Sequence, residues 1–203
     1  MPRYSPSTPD AVVDLVVGRV GAIVGPCVVG VDGADAADPT SLAASVTMRL
    51  RERGRAADVV SMHDWVRPAS LRLEYGHEDE FSYRTLWFDY SGLTREVVEA
   101  LRGHGRWLPA LWDEQTDRSV RSIPRIATDN QVVLVAGPML LGRDLDFDLT
   151  VALTLDRRTA IRLTPEDLQW TVPALYAHAE HGDTADIEVK VDHPDRPALL
   201  VER

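Results

Sequence analysis

The sequence predicts a three-layer α/β/α domain around a parallel sheet, and three observations predict it. Five short runs, at residues 28–31, 57–62, 132–135, 149–155 and 187–191, are rich in apolar strand formers, and those at 28–31 and 132–135 are apolar throughout. Strands buried on both faces have that composition. Stretches with helical spacing separate several of these runs, and a strand–helix–strand succession implies a right-handed parallel crossover. The chain has 203 residues, enough for one such domain with a sizeable core.

The elements follow in order. Residues 1–9, rich in Pro and Ser, are expected to form a flexible lead, and residues 10–203 a single domain. Thr8-Pro9-Asp10 has the form of a helix start. Val12, Leu15, Val16, Val20 and Ile23 then make one apolar stripe to about residue 24. After the first strand, Asp32-Gly33 predicts a turn, and residues 40–53 a helix stopped by Gly54. Residues 93–101 predict a helix with Gly103 after it. Residues 107–112 and 119–126 flank the turn-rich 113–118 and predict a β-hairpin. Residues 165–178 predict a helix broken or kinked at Pro173.

Composition excludes several function classes. A net charge of −10 opposes a nucleic acid or an anionic membrane as partner. No apolar run approaches the roughly 18 residues of a membrane span. Met1-Pro2-Arg3-Tyr4 has neither the basic nor the apolar part of a signal peptide. The only cysteine, Cys27, lies in an apolar run and is expected to be a buried thiol. A cytoplasmic setting follows from these features.

The junction of the first strand with the 40–53 helix carries the chemistry. A phosphate-binding loop has a first glycine, four variable residues, a second glycine, a lysine and a Ser/Thr. Here the frame reads Gly33-Ala34-Asp35-Ala36-Ala37-Asp38-Pro39-Thr40. Gly33 and Thr40 keep their places. Asp38 stands at the second glycine and Pro39 at the lysine. Pro39 has neither an amine nor a backbone N–H, and Asp35 and Asp38 bring negative charge to the place of anionic oxygens. The sole lysine, Lys190, is far along the chain. Locally the same residues make a good helix start, with Asp38 as N-cap and Pro39 in the first turn.

Six segments in the same order resemble the uridine-kinase-like branch of the P-loop NTPases, and its actinobacterial group in particular. They are Val29-Gly30-Val31-Asp32-Gly33, Val60-Ser61-Met62-His63-Asp64-Trp65-Val66-Arg67-Pro68, Ser82-Tyr83 through Phe88-Asp89 with Leu93, Gly105-Arg106-Trp107 through Val120, Val132-Val133-Leu134-Val135-Ala136-Gly137, and Val191 through Pro197. The resemblance implies a P-loop kinase fold with Mg-ATP as cofactor and the hairpin lying over the acceptor site. It also implies a catalytic acid where His63 stands, with Asp64 next to it, and a second acid where Ala136 stands. The arginine-rich lid expected after Leu155 is reduced to residues 156–168, with Arg157, Arg158 and Arg162 as its remaining arginines.

The expected function is therefore a catalytically degenerate nucleoside-kinase-like protein. No resident cofactor is expected. A nucleoside-like small molecule would bind at His63, Asp64, Arg67, Tyr83, Trp107 and Asp113, or the surface would serve a protein partner or a second copy. Arg67 would hold a hydroxyl or phosphate and Trp107 would line the base. An active kinase with an arginine phosphate clamp and a ligand-free scaffold are the alternatives. Three further patterns carry no metal assignment. His63-Asp64 would face opposite ways on a strand end. His77-Glu78-Asp79-Glu80 has the form of a solvated charge run, and His178 and His181 lack a third ligand.

Overall fold

A computed structural model describes residues 3–202 of the chain. Met1 and Pro2, part of the predicted flexible lead, lie outside the described residues. The rest of that lead is ordered. Arg3–Pro6 form a strand, β1, and Thr8 caps the first helix, α1 (Pro9–Gly21), its hydroxyl accepting from the Ala11 N–H at 3.2 Å. The next elements are β2 (Cys27–Gly33), α2 (Pro39–Glu52) and β3 (Ala57–Ser61).

The middle of the chain is a run of short helices and a hairpin. The helices α3 (Ala69–Arg72) and α4 (Glu80–Thr85) come first. Then α5 (Tyr90–Leu93), a π-helical stretch (Thr94–Glu99) and α6 (Ala100–His104) follow without a break. The stop is Gly105 at φ 58, not Gly103 as the sequence suggests. Gly105 takes the left-handed cap that a residue with a Cβ adopts only at a cost. The predicted hairpin forms in two ladders. Its outer pair joins β4 (Arg106–Trp107) to β7 (Arg125–Ile126), and its tip joins β5 (Trp112–Asp113) to β6 (Arg118–Ser119).

The C-terminal third supplies β8 (Val132–Gly137), β9 (Leu149–Thr154), α7 (Arg157–Leu163), α8 (Thr171–Ala179), β10 (Ile187–Lys190) and β11 (Ala198–Glu202). Pro173 breaks nothing. The helix begins at Thr171, so Pro173 sits in the first turn, where no N–H is required. The sheet order is β1-β11-β10-β9-β2-β8-β3. The five strands β10, β9, β2, β8 and β3 are parallel, with β3 at one edge, and β11 and β1 add an antiparallel edge at the other. In chain order those parallel strands lie 2-3-1-4-5, so the chain crosses β2 after β8. Ligands of open α/β sheets bind at the carboxyl ends of strands beside such a reversal.

Two apolar layers hold the sheet. Val29 and Val31 of β2 and Leu134 and Ala136 of β8 pack with Val16, Val20, Val46 and Leu50 of α1 and α2. Val28, Val133 and Val135 face the other way, against Trp65, Phe88, Leu93, Val97 and Trp107. Each fully buried Val, Leu or Phe contributes roughly 1.5–3 kcal/mol relative to exposure. The Phe147 ring crosses β2 at Gly30, where an added Cβ would lie 2.6 Å from it. Cys27 is buried as expected. Burial raises its thiol pKa to about 11, and Arg55 Nη2 donates to Sγ at 3.4 Å.

Candidate functional site

The carboxyl ends of β2, β3 and β8 converge, because Ser61 is in register with Ala136, and Asp32 with Gly137. The loop from Gly33 therefore lies beside the turn that follows β3. Gly33 is confined by Leu153, whose Cβ would be 3.0 Å from an added methyl. Asp35–Ala37 make one 3₁₀ turn, and Asp38 follows in the left-handed region at φ 55, ψ 54. Asp and Asn accept that conformation more readily than other residues with a Cβ. The Asp38 carboxylate accepts from the Ser41 N–H at 3.1 Å and caps α2, with Pro39 in its first turn. One of the amides that a phosphate would draw on is thus satisfied internally. Thr40 is exposed, and Pro39 is buried.

His63 is the centre of the second group. Residues Met62–Trp65 form a 3₁₀ turn. His63 and Asp64 therefore do not alternate across a strand end, as the sequence suggests. The His63 imidazole donates from Nδ1 to Glu114 Oε2 at 2.9 Å and from Nε2 to Asp35 Oδ1 at 3.0 Å. Burial alone would lower its pKa. The hydrogen bonds and charges of Asp35 and Glu114 outweigh burial and raise it to about 10. At neutral pH His63 is an imidazolium with both N–H groups engaged, so it cannot accept a proton from a substrate hydroxyl.

Glu114 ties this histidine to the hairpin. Its Oε1 accepts from Trp87 Nε1 at 2.9 Å and from Arg72 Nη1 at 3.0 Å. Burial pushes Glu114 up, but His63, Trp87 and Arg72 together hold it below the usual carboxylate range. The Arg72 side chain is only 6 % exposed. It also donates to the Arg67 carbonyl at 2.6 Å, reaches Asp117 at 3.4 Å and lies 5.1 Å from the centroid of the Trp87 ring. Asp117 in turn accepts from Trp112 Nε1 and from the Ala69 N–H. One connected polar network thus runs from the loop after β2, through His63, to the hairpin and α3.

The other predicted residues are placed as follows. Asp64 is half-buried beside His63. Burial raises its pKa, the His63 charge lowers it, and Asp113 raises it, with a net rise. Arg67 is half-buried, and its backbone N–H donates to the Trp87 carbonyl. Tyr83 is buried, edge-on to Trp87, Phe88 and Trp170. Trp107 is 2 % exposed and packs in the apolar layer under the hairpin. Asp113 caps the hairpin turn, accepting from the Gln115 and Thr116 N–H groups at 2.9 Å. Ala136 is fully buried in β8 and carries no functional group. Arg72, Glu114 and Asp117 are absent from the sequence-based set. Contacts spanning 42 and 45 positions leave no spacing signal.

Among the described residues no group of three His, Cys, Asp or Glu side chains is arranged to hold a metal ion, and no helix is long and apolar enough to cross a membrane.

No protein-family profile matches the chain, and no curated protein does. Solved structures do. A Bacillus stearothermophilus protein described as a possible uridine kinase superposes with TM-score 0.72 at 23% identity, covering 87% of this chain and 96% of that one. A candidate fructose transport system kinase from Silicibacter gives TM-score 0.72 at 18% identity, with 90% and 98% covered. A D-glycerate 3-kinase from Cryptococcus neoformans gives 0.62 at 14%, with 89% and 95% covered. The chain therefore shares the α/β fold of these solved structures, with a mostly parallel central sheet.

Proposed function

We propose that this chain is a uridine-kinase-like protein without ATP-dependent phosphoryl transfer, which uses the acceptor side of the fold to bind a nucleoside-like or other small polar ligand. The observation that carries the reading is the state of His63. It stands where the family resemblance puts the catalytic acid, and it is an imidazolium bound by Asp35 and Glu114. Phosphoryl transfer depends on charge stabilisation around the phosphates. Here the loop offers Asp38 and Pro39 in place of glycine and lysine. The Asp35 carboxylate already holds the cation that an incoming anion would seek. Asp64 and Glu114 are half-buried beside it, and with the half-buried Arg67 they would supply polar groups to a ligand with hydroxyls.

The deciding experiment combines two measurements. Transfer from labelled ATP or GTP to uridine or cytidine with Mg²⁺ is expected to be absent. A melting-shift screen of nucleosides, nucleotides and sugar phosphates is expected to favour a non-triphosphate ligand. Turnover abolished by Asp64→Ala or Thr40→Ala would overturn the proposal.

One observation favours a second reading, an active small-molecule kinase with an arginine clamp. Helix α7, which carries Arg157, Arg158 and Arg162, packs against the Asp35–Ala37 turn. On that reading ATP alone gives a large Mg²⁺-dependent melting shift, which replacing those three arginines removes.

A further inference from the structure

The two halves of the sheet are covered unequally. β8 is buried at every residue, and β2 at all but Asp32. β9 and β10 instead alternate buried with half-buried residues. Their buried side packs in the layer of α1 and α2, through Val151, Leu153, Ile187 and Val189. The other side of these two strands, with Ala152, Thr154 and Glu188, forms one wall of a cavity of about 340 Å³. Leu141, Leu175 and Tyr176 line it as well, and Asp32 lies at the carboxyl end of β2. None of Asp35, His63 or Glu114 lines it. Its lining is thus distinct from His63 and Glu114, although Gly33 and Ala34 of the loop after β2 contribute to it. A volume of this order suits a small organic ligand.

The charges of the lining point one way. Asp32, Asp183 and Glu188 contribute to it, and among the described residues no lysine or arginine does. Asp32 is anchored, accepting from the Leu140 N–H at 3.0 Å, and Glu188 accepts from the Tyr4 hydroxyl at 2.7 Å. Asp183 is exposed at the rim. His178 spends Nε2 on the Leu141 carbonyl at 2.8 Å, and burial and the Arg143 charge keep its pKa below the ordinary value. It adds no positive charge at neutral pH. Two guanidinium groups lie outside the lining: Arg143, committed to the carbonyls of Arg84 and Met139 and stacked 4.5 Å from the Tyr90 ring centroid, and Arg157, 5.9 Å from the centroid of the Tyr176 ring. Apolar walls with acidic groups at one end and at the mouth suit an apolar body bearing a positive group, and they repel phosphates and carboxylates.

We propose that this cavity, on the open side of β9 and β10, is a second binding site, and that it takes a small amphipathic amine. The site is independent of the acceptor-side reading, so either can fail alone. The probe is tryptamine, compared with the neutral indole-3-ethanol and the anionic indole-3-acetate on the same ring. Binding is followed by amide chemical shifts at low ionic strength. Tryptamine is expected to bind about 10-fold more tightly than indole-3-acetate, about 1.4 kcal/mol. The amides of Thr154, Leu155 and His178 are expected to shift, leaving His63 and Glu114 unmoved. Ala152→Leu fills the wall and should abolish binding of amine and alcohol alike. Asp183→Asn, at an exposed position that folding tolerates, should weaken tryptamine about 2- to 5-fold and leave the alcohol unchanged. Equal binding of the acid and the amine, shifts confined to another surface, or no binding at all would each overturn the proposal. Undiminished binding to a folded Ala152→Leu protein would do so too.

Discussion

The loop after β2 and the hairpin face each other across His63, and they are stabilised by different means. The loop is self-contained. Asp38 caps α2 from a left-handed backbone, and Pro39 starts the helix with no N–H to satisfy. The hairpin is held from outside itself by a cation buried beneath it, Arg72, which its own carboxylates Glu114 and Asp117 grip. A loop stabilised locally tolerates the loss of its ligand. A hairpin stabilised by a buried charge depends on every partner in the network. A substitution in the loop therefore disturbs one helix cap, and a substitution under the hairpin disturbs a whole network.

The largest effect expected is one of kind. Transfer of phosphate from ATP should be absent from the native protein, and Pro39→Lys should not bring it back. Asp38 would still fill the nest and His63 would still be tied to two carboxylates, and catalytic groups that act as a unit do not add singly. Robust activity in the single variant would mean that the loop and the acceptor side are equally intact.

Arg72→Ala tests the buried side. It leaves Glu114 short of a partner under the hairpin and should cost about 3 kcal/mol. In a chain of this size that is a drop of roughly 6–12 °C in melting temperature. A change within 1–2 °C would show the hairpin to be held by its apolar layer alone.

Asp38 gives a smaller and more diagnostic response on the loop side. Asp38→Ala loses the cap and keeps the unfavourable left-handed Cβ, so it should destabilise by about 1–2 kcal/mol. Asp38→Gly loses the cap but relieves the backbone, and should be nearly neutral. Equal losses from the two, measured by urea denaturation, would remove the backbone argument.

The mildest test uses pH. The His63 pKa is raised in the folded chain to about 10, from an ordinary value of 6.5. The stability it adds is fully present below pH 6.5 and lost as pH rises through 10. The melting temperature of the native protein should therefore fall between pH 7 and 10 more steeply than that of His63→Gln. Parallel curves would mean that the imidazolium is not held as its contacts imply.

Much of this architecture was legible in the chain. Strands buried on both sides announce themselves by composition, as Val132 to Val135 do, and the Asp38-Pro39 helix start is a local signal read over four residues. Elements held by distant partners were not. β1 is four residues long and mostly exposed, and it exists because β11 offers it a ladder. Pro173 read as a break because nothing nearby marks Thr171 as the true start. The network around His63 joins residues 28 to 51 positions apart, and no periodicity relates them. The tryptophans divide in the same way. Trp107 is a packing residue, while Trp87 and Trp112 spend their indole N–H groups on Glu114 and Asp117.

The edge formed by β1 and β11 also constrains the order of events in synthesis. Tyr4 pairs with Leu200, and Pro6 with Ala198. The parallel strands β2, β3, β8, β9 and β10 can all find a neighbour before β11 is made, and β1 cannot. β1 must wait for β11. Closing a loop of that length is entropically slow. While residues 7–197 collapse, the segment 3–6 travels unpaired, and the outer edge of β10 is open to any other extended chain. A translational pause that let β10 form but withheld β11 would leave that edge exposed. Until β11 leaves the ribosome, the β10 edge of the nascent chain is open to aggregation.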